Sequence, residues 1–383
     1  MAMINYVTEI RFGAGSAAEL AQVCQALGFK KPLFITDKGV VAAGLIERIL
    51  AVNDLPHFHV FDGTPSNPTE AAAREGVASF HEAGCDGIIA VGGGSSIDLA
   101  KAVAVSARHP GPLRQFALIE GGLARITAAT VPVVAIPTTA GTGSEVTPIA
   151  IVTTGETTKS GIVARQLYAD MAVLDAELTL GLPSAITAAT GIDAMVHAIE
   201  AFTSKRLKNP LSDALAIQAL QLLAANLVPV CQDGKNVPAR EAMLLGAMLA
   251  GQAFANAPVA AVHALAYPLG GVFHLPHGLS NALVLPHVLR FNAEAAAPHY
   301  AALADALVAG VQGDPHAKTA AFIHHLEALI AATALPMRLR DHGVPEAALP
   351  RLARDAMQQT RLLINNPREV TEADALAIYQ RAY

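Results

Sequence analysis

The sequence predicts an α/β domain built on a parallel sheet, followed by an all-helical domain. Two observations predict it. Short β-branched runs alternate with Ala-rich helical stretches through the first half, and strand signals nearly vanish after Pro183. Candidate strands cover 32–36, 58–61, 87–91 and 131–136, with helical patterns at 69–83 and 97–107 between them. A further pair, 149–153 and 172–174, is expected to close this half. Beyond Pro183, long Ala/Leu stretches at 184–203, 213–225, 239–256 and 317–332 read as helices. The expected domains are 1–182 and 183–383.

Composition narrows the functional classes. A chain of 383 residues, half of them apolar, has room for two domains with a large core. The net charge of −6 implies no basic face, which argues against a nucleic-acid partner. Charged residues make up 15% of the chain, low for a monomer's surface, and this points to a subunit interface. Cys24, Cys85 and Cys231 are far apart and odd in number, so no disulfide framework follows and a reducing cytoplasm fits. Residues 1–15 lack the basic and apolar blocks of a signal peptide. The most apolar segment, 243–267, is interrupted by Gln252, Asn256, Pro258 and His263, so it reads as buried helices and not as a membrane span.

Three loops in the first half suit a nucleotide. The strand pattern 87–91 runs into Gly92-Gly93-Gly94-Ser95-Ser96 and then the helix Ile97-Asp98-Leu99-Ala100-Lys101. A strand, a glycine turn and a helix start present free backbone N–H groups to phosphate, although the spacing is not G-x-G-x-x-G. After the strand at 131–136 comes Pro137-Thr138-Thr139-Ala140-Gly141-Thr142-Gly143-Ser144-Glu145, rich in hydroxyl donors for phosphate or ribose oxygens. The third loop is Pro65-Ser66-Asn67-Pro68-Thr69. Each alone can also be read as turn chemistry; together they suit a ligand lying across the carboxyl ends of an open sheet. Asp37 directly follows the strand pattern at 32–36. There it acts either as a helix cap or as an acceptor for a ribose hydroxyl pair, a role that favours NAD over NADP by repelling a 2′-phosphate.

The second half carries metal-ligand chemistry. Asp193 and His197 are four residues apart on an apolar helical stretch, hence on one face, and Glu200 shares their stripe. Burying such groups is unfavourable unless they are paired or bound to metal. The pair by itself fits either a metal site or a plain Asp–His hydrogen bond. His263 lies in another apolar helix, and His274-Leu275-Pro276-His277-Gly278 reads as a loop. Two helices and a loop that each supply a candidate favour a shared ion. One carboxylate with three imidazoles (Asp193, His197, His263, His277) suits Fe²⁺ or Zn²⁺, and the resulting net positive charge suits a Lewis acid.

At these residues the sequence resembles the iron-containing (group III) alcohol dehydrogenase family, within the superfamily that includes glycerol dehydrogenases and dehydroquinate synthases. The resemblance runs from Phe12-Gly13-Ala14-Gly15 through the glycine turn with Asp98 and Lys101, the 137–145 loop, 191–200, and His263 to His277-Gly278. It implies a dehydroquinate synthase-like fold, with an N-terminal dinucleotide-binding domain, a C-terminal helical metal domain and the active site in the cleft between them. It implies a homodimer. Asp193, His197, His263 and His277 match the family's ligand positions, and Asp37 the position that favours NAD. Asn67, Gly93, Gly94, Ser95, Asp98, Thr138, Thr139, Thr142, Lys159 and Leu178 match positions that line the cofactor. Many relatives carry a further His four residues after the third ligand, where this chain has Tyr267. A proton-relay role at that place passes either to Tyr267 or to His274, or else Tyr267 merely shapes the pocket.

The implied reaction is NAD-linked oxidation of a small alcohol, or reduction of an aldehyde, by a soluble cytoplasmic enzyme. The alternatives on the same fold are a glycerol-type dehydrogenase, a reductase of a keto or semialdehyde acid, and a dehydroquinate synthase-like lyase. The scarcity of Lys and Arg near the metal residues counts against the lyase, whose substrate is anionic.

Overall fold

A computed structural model describes residues 4–154 and 158–383, without the side chains of Ile119 and residues 158–160. The strands are β1 (Glu9–Phe12), β2 (Pro32–Ile35), β3 (His59–Phe61), β4 (Gly87–Gly92), β5 (Val133–Pro137), β6 (Ile149–Thr154), β7 (Thr158–Val163) and β8 (Met171–Leu174). The helices of the same unit are α1 (Leu20–Leu27), α2 (Lys38–Ala42), α3 (Leu45–Ala51), α4 (Glu70–Glu82) and α5 (Gly94–Ser106). Six strands form a parallel sheet in the order β1-β8-β5-β4-β2-β3, and β6 pairs antiparallel with β7 in a separate ribbon.

Side-chain alternation explains the two covered faces. Leu33 and Ile35, Ile88 and Ala90, and Val133 and Ala135 share one apolar cluster with α4 and α5. Phe34, Ile89, Val91, Val134 and Ile136 point the other way, into a cluster with α1 and α3. A sheet buried on both faces needs apolar residues at every strand position, as the runs PLFI and GIIAVG supply.

Two strand expectations need correction. The segments at 149–153 and 172–174 do not close the sheet together: the first lies in the β6–β7 ribbon, and the second is an inner strand between β5 and β1. The strand β1 went unread because EIRF is short, half charged and mostly exposed at the sheet edge.

Strand order creates a topological switch point. The sheet grows outward from β2 to β3, then crosses back to β4 on the other side of β2. A crevice forms at such a switch point, at the strands' carboxyl ends. Asp37 follows β2 there and Gly92 ends β4. Asp37 Oδ2 lies 3.4 Å from where a side chain on Gly92 would begin, and Gly92 has φ +150° with Ser96 Oγ 2.4 Å from that same point. Only glycine fits.

The loop after β5 is anchored from below by Lys101, which is 1% exposed. Its ammonium donates to the carbonyls of Ser144, Thr147 and Ile149 and touches the hydroxyls of Ser144 and Thr147. Asp98, one turn earlier, accepts from Ser144 Oγ at 2.5 Å and Ile151 N at 2.9 Å. Glu145 is fully buried beside this network. Burial pushes its carboxyl up to about 7, against the pull of its own backbone and of Lys101.

The second unit runs from Leu182 to Tyr383 and takes in Asn5 and Ala140–Thr142. Ala140–Thr142 had been expected in the first domain. Gly141 packs so closely on Thr190 that a side chain would begin 2.8 Å from its Cβ. The helices are α6 (Ser184–Thr203), α7 (Pro210–Gln232), α8 (Val237–Asn256), α9 (Ala261–Phe273), α10 (His277–Asn292), α11 (Ala297–Leu307), α12 (Pro315–Ala332), α13 (Leu349–Met357), α14 (Thr360–Leu363) and α15 (Glu372–Ala382). The most apolar segment of the sequence is two helices, α8 and α9, bent by 106° at residues 257–260. By length and composition α7 could cross a bilayer, and a third of its most apolar window is buried. It packs along α6 and α8. Tyr379 Oη ties α15 to the Leu265 carbonyl of α9 at 2.6 Å.

Replacing Lys101 by Met strands three buried carbonyls at once. A loss of about 3 kcal/mol or more is expected in urea unfolding, since each orphaned buried acceptor costs ~1–3 kcal/mol. A second expectation concerns pH. Because the folded-state value for Glu145 lies above its ordinary one, the folded protein holds an extra proton between about 4.5 and 7. This contribution is largest at low pH and is lost as pH rises through 7. Glu145→Gln should therefore lose less stability than the parent between pH 5 and pH 8, by up to about 3 kcal/mol; equal slopes would refute it.

Candidate functional site

Helix α6 delivers Asp193 and His197 one turn apart on a single face. His263 is the third residue of α9, and His277 opens α10 behind Pro276. His277 is thus a helix residue, which corrects its reading as part of a loop. The missed signal is Pro276: it closes off the preceding helix and starts the next. Gly278 lets α10 approach α6, since a side chain there would begin 2.6 Å from the Ala189 carbonyl oxygen.

These elements bring one ligand atom from each of Asp193, His197, His263 and His277 within 4.8 Å of one another. Asp193 Oδ1 lies 4.0 Å from His197 Nε2, 4.0 Å from His263 Nε2 and 3.7 Å from His277 Nε2. Metal bonds of roughly 2.1 Å in tetrahedral geometry place donors about 3.4 Å apart. The three edges to Asp193 must therefore close by about 0.3–0.6 Å, and the widest separation in the set by up to about 1.4 Å, to reach a cation's dimensions. Three members are buried and His277 is partly exposed. His197 is sandwiched by rings, with Phe254 at 4.5 Å and His263 at 4.8 Å.

Electrostatics favour a cation here. Burial pushes the His197 imidazolium down to about 4, against the pull of Asp193, so the ring is neutral near pH 7 and offers a lone pair. Its Nδ1 is buried without a well-formed hydrogen bond, although the nearby Gly141 backbone favours its protonated form slightly. Burial alone would push the Asp193 carboxyl up; the three imidazoles and Asn281 instead hold it below the usual carboxylate range. A carboxylate and neutral imidazoles are the donors that a divalent transition ion takes, so the residues fit such an ion.

Two neighbours were not chosen from sequence. Asn281, fully buried one turn after His277, donates to Asp193 Oδ1 at 2.5 Å, and its amide nitrogen lies 3.3 Å from His263 Nε2 and 3.4 Å from His277 Nε2. Glu200 accepts from His263 Nδ1 at 2.7 Å. The i+4 spacing from His277 marks Asn281 once α10 is known to be a helix, and the shared stripe with Asp193 marks Glu200.

Of the two relay candidates, Tyr267 is half-buried with its ring 6.1 Å from His277. His274 is exposed at the end of α9 with φ +56° and does not join the cluster.

The cofactor candidates lie in the α/β unit, Thr142 excepted, which groups with the helical unit. Asp37 Oδ1 caps α2 by accepting from Gly39 N at 2.8 Å and Val40 N at 3.0 Å. Gly93 caps α5, Gly94 begins it, and Ser95 Oγ donates to the Ser66 carbonyl at 2.7 Å, tying the glycine turn to the Asn67 loop. Thr138 N donates to the Gly92 carbonyl at 2.9 Å, and Thr139 stands against Gly93. Two candidates face inward. Both Asp98 oxygens accept within the protein, and Leu178 is packed in the core with Val91 and Ile136. Lys159 pairs through its backbone with Thr153, and its side chain lies outside the described residues.

Comparison with known proteins agrees along the whole chain. Residues 7–176 match the family description "Iron-containing alcohol dehydrogenase", and residues 187–383 match "Fe-containing alcohol dehydrogenase family, C-terminal". A 4-hydroxybutyrate dehydrogenase of Cupriavidus necator is 41% identical over 98% of this chain and 98% of its own. The crystal structure of a 1,3-propanediol oxidoreductase superposes with a TM-score of 0.94 at 38% identity, covering 100% of both chains. A sulfoacetaldehyde reductase from Bifidobacterium kashiwanohense, solved in complex with NAD⁺, has a TM-score of 0.87 at 28% identity over 100% of this chain and 98% of its own. The chain belongs to the iron-containing alcohol dehydrogenase family and is an alcohol oxidoreductase.

Proposed function

We propose that this oxidoreductase is NAD-linked and metal-dependent, and that it interconverts a small alcohol and its aldehyde. The convergence of one buried carboxylate and three imidazoles carries this reading. In it, Asp193, His197, His263 and His277 hold Fe²⁺, with Zn²⁺ the alternative that the same donors accept. When bound, the ion supplies the Lewis acidity that lets a hydroxyl lose its proton near neutral pH, and the nicotinamide takes up hydride. Asp193 is the one anionic ligand, so the loaded set keeps a net positive charge. Asn281 holds Asp193 Oδ1 in place, and Phe254 shields one face of His197 from water. Tyr267 lines the open side next to His277.

Gly93, Gly94 and Ser95, at the start of α5, receive the cofactor's phosphates on free N–H groups. Thr138, Thr139, Thr142, Asn67 and Lys159 contribute further polar contacts, and Asp37 accepts from the ribose hydroxyls, selecting NAD over NADP. Asp98 supports the loop from below and Leu178 supports the sheet. The names of the relatives favour a short alcohol with a second polar group, as in 4-hydroxybutyrate and 1,3-propanediol. Reduction of a semialdehyde acid is the second reading, the same bond change run backwards. A cytoplasmic homodimer fits the low charged fraction and the free cysteines.

The test is to strip the protein with a chelator, reload it anaerobically with Fe²⁺ or Zn²⁺, and follow nicotinamide absorbance with a panel of alcohols and aldehydes. No turnover with any metal, cofactor and substrate would sink the reading. Asp193→Asn should cut metal affinity by more than roughly 100-fold, read by competition with a chromogenic chelator. Asp37→Gly should shift the NAD-to-NADP preference by roughly tenfold toward NADP, while costing only a few tenths of a kcal/mol in stability, because glycine is a tolerated cap. An unchanged cofactor ratio would remove Asp37 from the site.

A further inference from the structure

Glu200 has no part in the reading above. It lies two turns beyond Asp193 on α6 and is 4% exposed. Oε1 accepts from Val262 N at 2.7 Å; Oε2 accepts from Ala260 N at 2.9 Å and from His263 Nδ1 at 2.7 Å. The first two bonds satisfy free N–H groups at the start of α9, whose own cap residue, Ala260, has no side chain to do so. The third bond has a chemical consequence. A neutral imidazole carries one N–H, and a carboxylate only accepts, so the proton sits on Nδ1 and the lone pair on Nε2. Nε2 is the atom that faces Asp193 Oδ1, at 4.0 Å.

We propose that Glu200 is a positioning residue that holds His263 as the Nδ1–H tautomer, fixes its ring plane and makes its Nε2 a better donor, so that the site is set for a cation before one arrives. This rests on reading the four residues as a metal site. The same carboxylate clamps the first turn of α9, so ring and helix cannot shift independently. One helix, α6, then carries two ligands and the group that orients a third.

Glu200→Leu separates this from a purely capping role, because it removes the oxygen that takes the Nδ1 proton; a Gln oxygen at the Oε2 place would still accept from Ala260 N and His263 Nδ1. The experiment uses full-length, chelator-stripped protein labelled with ¹⁵N-histidine, with long-range ¹H–¹⁵N correlations assigned through His263→Gln. The parent should show His263 as the Nδ1–H tautomer; Nε2–H in the parent would overturn the proposal without any variant. In E200L the Nδ1–H tautomer should no longer dominate, and Zn²⁺ affinity, by chelator competition, should fall about 10–100-fold. Glu200→Asp, which keeps the acceptor, should restore the parent's tautomer; a reversed tautomer in E200D would count against the proposal. If E200L melts earlier yet keeps both tautomer and Zn²⁺ affinity, Glu200 only caps α9 and the proposal fails. If the parent binds no Zn²⁺ or Fe²⁺ but its tautomer is lost in E200L, the metal reading fails while the hold on His263 stands.

Discussion

The helical unit depends on the burial of one carboxylate. Asp193 sits inside an apolar bundle within 4.0 Å of three imidazole nitrogens and hydrogen-bonded to one amide, and none of these is close in sequence except His197. A lone buried carboxylate is strongly destabilising, and breaking up such a group leaves an uncompensated charge. Helices α6, α9 and α10 must therefore meet in one register. The supporting features follow from that demand: the close approach at Gly278, the helix start at Pro276, and the clamp of Glu200 on the first turn of α9. Packing this tight asks for small residues, and the Ala-rich composition of these helices supplies them.

The α/β unit solves a different problem. Its loops after β4 and β5 expose backbone, and exposed backbone is mobile unless held from behind. Here Lys101 and Asp98, from the first turns of α5, grip the loop after β5, while Ser95 ties the glycine turn to the loop after β3. Buried charge is spent on holding loop carbonyls and hydroxyls. Asp98, which sequence matching placed among the cofactor contacts, has one hydrogen bond on each oxygen to the loop it supports. Of the two readings weighed for Asp37, the hydrogen bonds show the cap: one oxygen accepts from the start of α2, and the other lies near Gly92.

Much of this architecture was legible from residue order. The buried runs 32–36 and 87–91 announce inner parallel strands, because a sheet covered on both faces shows no polar alternation. Asp193 and His197 announce a site, because polar groups at i and i+4 in an apolar helix need a partner. The strand β1 was illegible: its four residues are half charged, and only pairing with β8 makes them a strand. The segment at 149–154 looked like a sheet strand, but its alternating burial belongs to a two-stranded ribbon. Asn281 was invisible while residues around His277 read as a loop.

Sequence alone determined the class of chemistry and the elements that bear it, because hydrophobic period, glycine turns and histidine spacing are local properties. Tertiary structure decided which atoms share a point in space. That His263 Nδ1 meets Glu200, that Asn281 meets Asp193, and that Ala140–Thr142 join the helical unit all follow from contacts between residues tens of positions apart. Local propensity carries no information about such contacts; only close packing selects them.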